Sequence, residues 1–361
     1  MSDRIEELED AELFTDDHNE SPPSDIVAFN ELRSCADLYR MHEDGILEIQ
    51  PEFQRDFIWK ATDQTRFIDS LVKQLPIPSM CFAYDYKQNS WMVIDGLQRI
   101  STIIRFLSGA DWKLSQLDDI DRDLAGKNAA TIKNSKGDTR MLYTRVQNQS
   151  LPINVLRCDL TKKRHNEYLF TIFHRLNSGG ARLNNQEIRN CIYSGEFNNL
   201  LKSLDSSSDW RKINNMQPGE NYRFVKQEAI LRFFAFLERR NAYRGAVAKF
   251  LNDYMFDHRN ATDRIRNAKA NTFGRVTKVI AEKIFPEGPP QRMPGTVLEA
   301  LMIGIATNIE HAEASTAQHL QSLFEQLRNH ESVSEASLAE GLSKKDKVDA
   351  RLNAAINIFA G

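Results

Sequence analysis

Asp95, Gly96, Leu97, Gln98 and Arg99 stand directly after the apolar run Trp91-Met92-Val93-Ile94 and directly before Ile100, Ile103, Ile104 and Leu107, which recur at helical spacing until Gly109. A strand that passes through a tight glycine turn into a helix presents unpaired backbone N–H groups and the positive end of a helix dipole. That arrangement favours a phosphate. Gly96 lets the backbone approach closely. Arg99, one turn into the helix, can reach the same anion bidentately, and Gln98, Ser101 or Thr102 can donate further hydrogen bonds. Asp95 would repel phosphate unless it caps the helix, holds an arginine, or binds a divalent cation that bridges to the phosphates. Taken alone, Asp-Gly before a helix is more often an ordinary capped turn.

Two further groups of residues point the same way. In Pro51-Glu52-Phe53-Gln54-Arg55-Asp56-Phe57-Ile58-Trp59 a second arginine is flanked by aromatic rings that either pack in a core or stack on a base. By itself this segment is weak, since Arg55 paired with Glu52 or Asp56 on the surface is the simpler account. The third group is Phe173-His174-Arg175-Leu176-Asn177-Ser178-Gly179-Gly180, continued by Leu183, Gln186, Glu187, Arg189 and Asn190. Its arginines, asparagines and glutamate surround one glycine turn and can close over a nucleotide from a helical side, although such a loop is usually only a connection.

The elements that must position these residues are legible from periodicity. Ile46-Leu47-Glu48-Ile49 predicts a short strand, and Phe67, Ile68, Leu71, Val72 and Leu75 share a helical face that Pro76 and Pro78 end. Met80 to Tyr84 and Trp91 to Ile94 flank the polar turn Lys87-Gln88-Asn89-Ser90 and predict a hairpin; Leu151 to Leu156 predicts one more strand. From 110 to 150 the chain is polar, with a turn at Lys136-Gly137-Asp138. Tyr168, Leu169, Ile172, Phe173 and Leu176 mark an amphipathic helix, and Asn184 with Glu187 forms the capping box of the next. Further helices are indicated around 197–204, 225–240, 243–256, 262–285, 296–312, 315–329 and 345–359. The expected fold class is α+β with a helical continuation: an acidic disordered tail over 1–25, an α+β domain over 26–160 and an all-helical domain over 161–361.

The 361 residues, 41% of them hydrophobic, suffice for cores in two domains. Net charge is −3, but residues 1–25 hold ten acidic side chains and one basic, Arg4. The remainder then has 40 acidic and 46 basic residues, a surplus of +6 compatible with a polyanionic partner such as DNA. No stretch approaches the roughly 20 apolar residues of a membrane span, and the start is acidic rather than basic then apolar. Cys35, Cys81, Cys158 and Cys191 form no Cys-x-x-Cys pair, so a reduced cytoplasm is expected rather than a disulfide framework or zinc site. No Walker-type loop occurs, Gly126-Lys127 being followed by Asn128, and no Glu-x-Lys occurs. His258, His311, His319 and His330 stand singly and read as solvated surface residues. DNA cutting by this chain alone is not expected.

The three groups, in this order, resemble the N-terminal domain of GmrSD-type restriction enzymes for modified DNA, a family described as ParB/sulfiredoxin-like in fold. The resemblance runs through Pro51 to Arg55 with Trp59, Asp69-Ser70-Leu71, Leu75-Pro76-Ile77-Pro78, Val93 to Arg99 and Arg175 to Asn190. It continues through Arg223, Glu228 to Phe234 and Phe250-Leu251-Asn252, covering about residues 45–255. The family's usual signature is Asp-Gly-Gln-Gln-Arg; here Leu97 replaces the first glutamine and its amide hydrogen bonds are lost. The resemblance implies NTP binding, or NTP hydrolysis, coupled to sensing of modified DNA in an anti-phage system, with a separate partner nuclease. On it, Gln54, Arg55, Gly96, Gln98, Arg99, Ser101, Thr102, Arg175, Asn177 and Arg189 are the nucleotide-binding candidates. Asp95 is the candidate for Mg2+, and Asp95 or Glu187 the group that orients the attacking water.

Two other readings stay open. In one, the same pocket binds the DNA backbone and cleaves it with a metal ion, which predicts nicking without any NTP. In the other, the helical half docks a partner protein and the α+β half is structural, so that Arg99→Ala changes nothing. A sulfiredoxin-like reductase is disfavoured, because no cysteine occupies the glycine turn and Cys81 lies one strand away.

Overall fold

The computed structural model describes residues 3–15, 22–49, 59–176, 183–217, 222–291 and 293–361. The chain divides into two compact units, residues 20–182 and residues 1–19 with 183–361. It begins in the second of these with helix α1 (Asp3–Glu12).

The sheet unit then runs β1 (Val27–Ser34), α2 (Cys35–Glu43), β2 (Leu47–Glu48), α3 (Ala61–Val72), β3 (Met80–Asp85), β4 (Ser90–Asp95), α4 (Leu97–Leu107), α5 (Ala129–Asn134), α6 (Gly137–Asn148), β5 (Ser150–Cys158) and α7 (Lys163–Leu176). Its five strands lie in the order β1-β5-β3-β4-β2. The β1–β5 and β3–β4 pairs are antiparallel; β3–β5 and β2–β4 are parallel. The expected short strand, hairpin and returning strand are β2, β3 with β4, and β5.

Alternation buries Met80 and Phe82 of β3, Trp91 and Val93 of β4, and Ile153 and Val155 of β5 in one core with Leu38, Ile68, Ile103 and Tyr143 from the covering helices. The alternate residues Cys81, Ala83, Met92 and Ile94 are buried too, and α7 lies against β4. The sheet is therefore covered on both faces, α7 included in the unit of residues 20–182. The polar stretch 110–150 folds into α5 and α6, where Gly137 opens a helix and Leu142, Tyr143 and Val146 turn inward.

The helical unit comprises α1 with α8 (Asn185–Ile192), α9 (Glu196–Asp205), α10 (Ser208–Ile213), α11 (Val225–Arg239), α12 (Val247–His258), α13 (Asp263–Val279), α14 (Gly295–Thr307), α15 (Ile309–Ala314), α16 (Ala317–Arg328), α17 (Glu335–Ala339) and α18 (Lys345–Ile358). Every residue from Thr296 to Ile305 of α14 is buried, as expected of a helix enclosed on all sides, and it packs against α11 and α18. Among the described residues, no helix is long and apolar enough to cross a membrane.

The acidic lead-in, expected to be disordered, contains a docked helix instead. Ile5 of α1 packs with Leu338 and Leu342, with Leu8 against them. Glu12 pairs with Arg232 at 2.9 Å. The sequence displays these carboxylates, but their partners lie more than 200 positions away, outside the reach of local pattern.

Candidate functional site

At the end of β4 the pairing with β3 shifts register: Phe82 faces Val93 but Cys81 faces Asp95, so Ile94 is an extra residue and the strand is re-aimed as it reaches Asp95. Gly96 follows at φ 98°, in the left-handed region, as the N-cap of α4. A Cβ at this position would lie 2.5 Å from Cγ of Met80, itself a buried core side chain. Backbone conformation and packing both demand glycine here. No side chain caps α4, so the N–H groups of its first turn stand at the positive end of the helix dipole.

Arg99 folds back onto this turn. Its Nη2 donates to Asp95 Oδ2 at 2.8 Å and its Nη1 to the carbonyl of Pro78 at 2.5 Å, with the side chain 14% exposed. Of the three uses open to Asp95, the structure realises the arginine clamp. The Leu75–Pro78 segment contributes a backbone acceptor, a role that sequence reading missed because carbonyls carry no residue signature. Asp95 is one carboxylate paired with a guanidinium, and no group of three or more potential metal ligands occurs among the described residues. Thr102 donates its hydroxyl to the carbonyl of Gln98 at 2.7 Å, while the buried Ser101 hydroxyl has no partner among the described residues. Burial, and secondly the Asp95 carboxylate, push the Cys81 thiol up to about 12. It is protonated at neutral pH and is no nucleophile.

Gln98 points the other way. Its Oε1 accepts from the backbone N–H of Trp59 at 3.5 Å, the outer limit of such a bond. The Trp59 carbonyl accepts from Gln64 Nε2 at 3.0 Å, and Gln64 Oε1 accepts from Arg105 Nη1 at 2.9 Å. The Trp59 ring meets Phe67 edge-on at 5.5 Å. The structure thus brings the end of the second group to the first. Gln54, Arg55 and Asn177 lie outside the described residues.

The third group divides. Arg175 is exposed near the end of α7, in the sheet unit, whereas Glu187 and Arg189 lie on α8 in the helical unit. Glu187 completes the expected capping box with Asn184 and is held bidentately by Arg223 at 3.0 and 2.6 Å. Arg189 is fully buried and donates to Glu228 and Asn252, each at 2.7 Å. Beside it, Gln186, Asn190, Gln227 and Asn198 form a buried chain of amide hydrogen bonds. Both groups are thus taken up by partners within the helical unit, the Glu187 carboxylate also accepting the Asn184 backbone N–H at 2.7 Å. Both side chains tie elements of the helical unit together. Arg223, Glu228 and Asn252, singled out by the resemblance, are their partners.

Residues 35–194 match the family model described as the GmrSD restriction endonuclease, N-terminal domain. The match begins at α2 and ends just past α8, taking in the Asp95 turn, Trp59, Glu187 and Arg189. No curated protein and no solved structure matches the chain.

Proposed function

From the match of residues 35–194 to the GmrSD restriction endonuclease N-terminal domain, we propose that the chain is an NTP-binding sensor of a restriction system, with the Asp95–Arg99 turn as its phosphate-contacting element. The uncapped first turn of α4 behind Gly96 carries this reading: its N–H groups are the donors for the phosphate oxygens. Arg99 acts mainly by position, adding positive charge while its clamp on Asp95 and Pro78 fixes the turn. Gln98, bonded to Trp59, joins the turn to the segment that holds Gln54 and Arg55, and Arg55 with Arg175 supplies further cationic contacts. Magnesium arrives with the nucleotide. With Glu187 engaged by Arg223, Asp95 is the remaining candidate to orient a water for hydrolysis. DNA cleavage falls to a partner nuclease.

The test is binding and turnover of each of the four NTPs with magnesium, with and without DNA, for wild type and Arg99→Ala. Binding lost in a folded Arg99→Ala chain, with turnover raised by DNA, is the expected result. A wild-type chain that binds no nucleotide sinks the proposal, and nicking of DNA with metal alone would replace it by the nuclease reading.

A further inference from the structure

The helical unit encloses a cavity of about 320 Å3 lined by residues including Glu9, Glu12, Lys226, Arg232, Gly295 and Thr296. Three donors converge there on the Glu9 carboxylate: the N–H groups of Gly295 and Thr296 at 3.0 and 2.9 Å, and the Thr296 hydroxyl at 2.9 Å. These are the opening residues of α14, so Glu9 occupies an anion hole at a helix N-terminus. Beside it Arg232 gives Nη1 to Glu12 at 2.9 Å and Nε to Glu299 at 2.6 Å. Its Nη2 is buried and has no acceptor among the described residues. Glu299 is shared with Arg351 at 3.2 Å.

Without α1, two arginines would face one glutamate, and the α14 N–H groups would face none. The carboxylates of Glu9, Asp10 and Glu12 leave with the helix; Arg232 stays. Glu228, the other acidic residue of the lining outside α1 besides Glu299, is already paired with Arg189. The vacated cavity would therefore be cationic. Even with α1 docked, one arginine donor goes unanswered and the space is not filled, so Glu9 and Glu12 satisfy the site incompletely. The apolar hold on α1 is small, Ile5 and Leu8 against Leu338 and Leu342.

We propose that this cavity binds a small polyanion carrying phosphate or carboxylate groups, and that Glu9 and Glu12 fill it in cis until such a ligand displaces α1. The site lies in the helical unit and is separate from the Asp95 turn.

Calorimetric titration of the full chain with inorganic pyrophosphate, and in parallel with citrate, tests it. The Glu9→Gln/Glu12→Gln variant weakens the internal competitor, so its apparent affinity for the preferred probe rises about tenfold or more over wild type. Adding Arg232→Lys removes the gain, and adding Arg99→Ala leaves it intact, which separates this site from the nucleotide turn. Preference for pyrophosphate assigns phosphates to the site; preference for citrate assigns carboxylates. Hydrogen exchange on the wild-type chain needs no variant: the α1 amides lose protection as the probe saturates. Failure of the folded variant to bind either probe, an affinity equal to wild type, or unchanged α1 protection each overturns the proposal.

Discussion

Arg99 Nη2 sits 2.8 Å from Asp95 Oδ2, and the same guanidinium reaches the carbonyl of Pro78. One side chain thus ties the end of β4 to the segment before β3. Arg99→Met and Asp95→Asn should be non-additive, with a coupling of about 1 kcal/mol in a double-mutant cycle followed by urea unfolding. Strict additivity would mean that the pair does not hold the turn.

Gly96→Ala should destabilise the sheet unit by about 2–4 kcal/mol, because it meets both an unfavourable φ of 98° and the Met80 side chain. Met80→Ala in the same chain removes the clash but not the strain, so it should recover only part of the loss relative to Met80→Ala alone. Thermal unfolding of the three variants measures each share.

Removing Arg189 leaves Glu228 buried without its ion-pair partner. Arg189→Met should cost about 3–5 kcal/mol in chemical unfolding, whereas Arg189→Met with Glu228→Gln should cost less, since the uncompensated charge is gone. A double variant as unstable as the single one would remove charge burial as the cause.

Acid should weaken the helical unit through Glu299. Burial raises its pKa, but Arg232 and Arg351 outweigh that and hold it below the ordinary 4.5. A carboxylate depressed in the folded state contributes stability that is present above the unfolded value and is lost as pH falls through the folded one. The stability advantage of wild type over Glu299→Gln should therefore shrink as melting temperatures are followed from neutral pH to below 4.5. A constant gap across that range would count against the ion triad.

Burial pushes Cys35, Cys81 and Cys158 each up to about 12. At neutral pH these three thiols should resist alkylation in the native chain and react on unfolding, as mass spectrometry of labelled peptides will show. Rapid native labelling of Cys81 would restore interest in a thiol at the Asp95 turn.

Wherever local pattern determines structure, the sequence was an adequate guide. The β3–β4 hairpin, the helix after Gly96, the Asn184–Glu187 capping box and the long helices α11 to α14 all announce themselves by period or cap. β1 did not, because it is an edge strand whose residues are exposed or half-buried on both faces, so it lacks alternation. α6 was hidden by Lys136-Gly137-Asp138, which reads as a turn but opens a helix. At the candidate site, Asp95, Gly96 and Gln98 were legible as a turn, whereas the direction of Arg99 was not, since it depends on the Pro78 carbonyl 21 positions earlier. Glu187 and Arg189 look chemical in sequence; their burial against Arg223 and Glu228 rests on partners 36 and 39 positions away, which local pattern does not reach.

The docking of α1 also orders events on the ribosome. Glu9 emerges 286 positions before Gly295, which at synthesis rates of roughly 5–20 residues per second is a wait of about 15–60 s. During that interval the whole sheet unit is made while Glu9 lacks the α14 N–H groups that hold it. The triad of Arg232, Glu299 and Arg351 closes later still, when residue 351 appears. A nascent chain stalled after α14 would carry two glutamates, Glu12 and Glu299, on one arginine and lack the second cation. Such fragments should be poorly folded in their helical part and preferred substrates for proteases, so that the released, intact helical unit is favoured over its precursors.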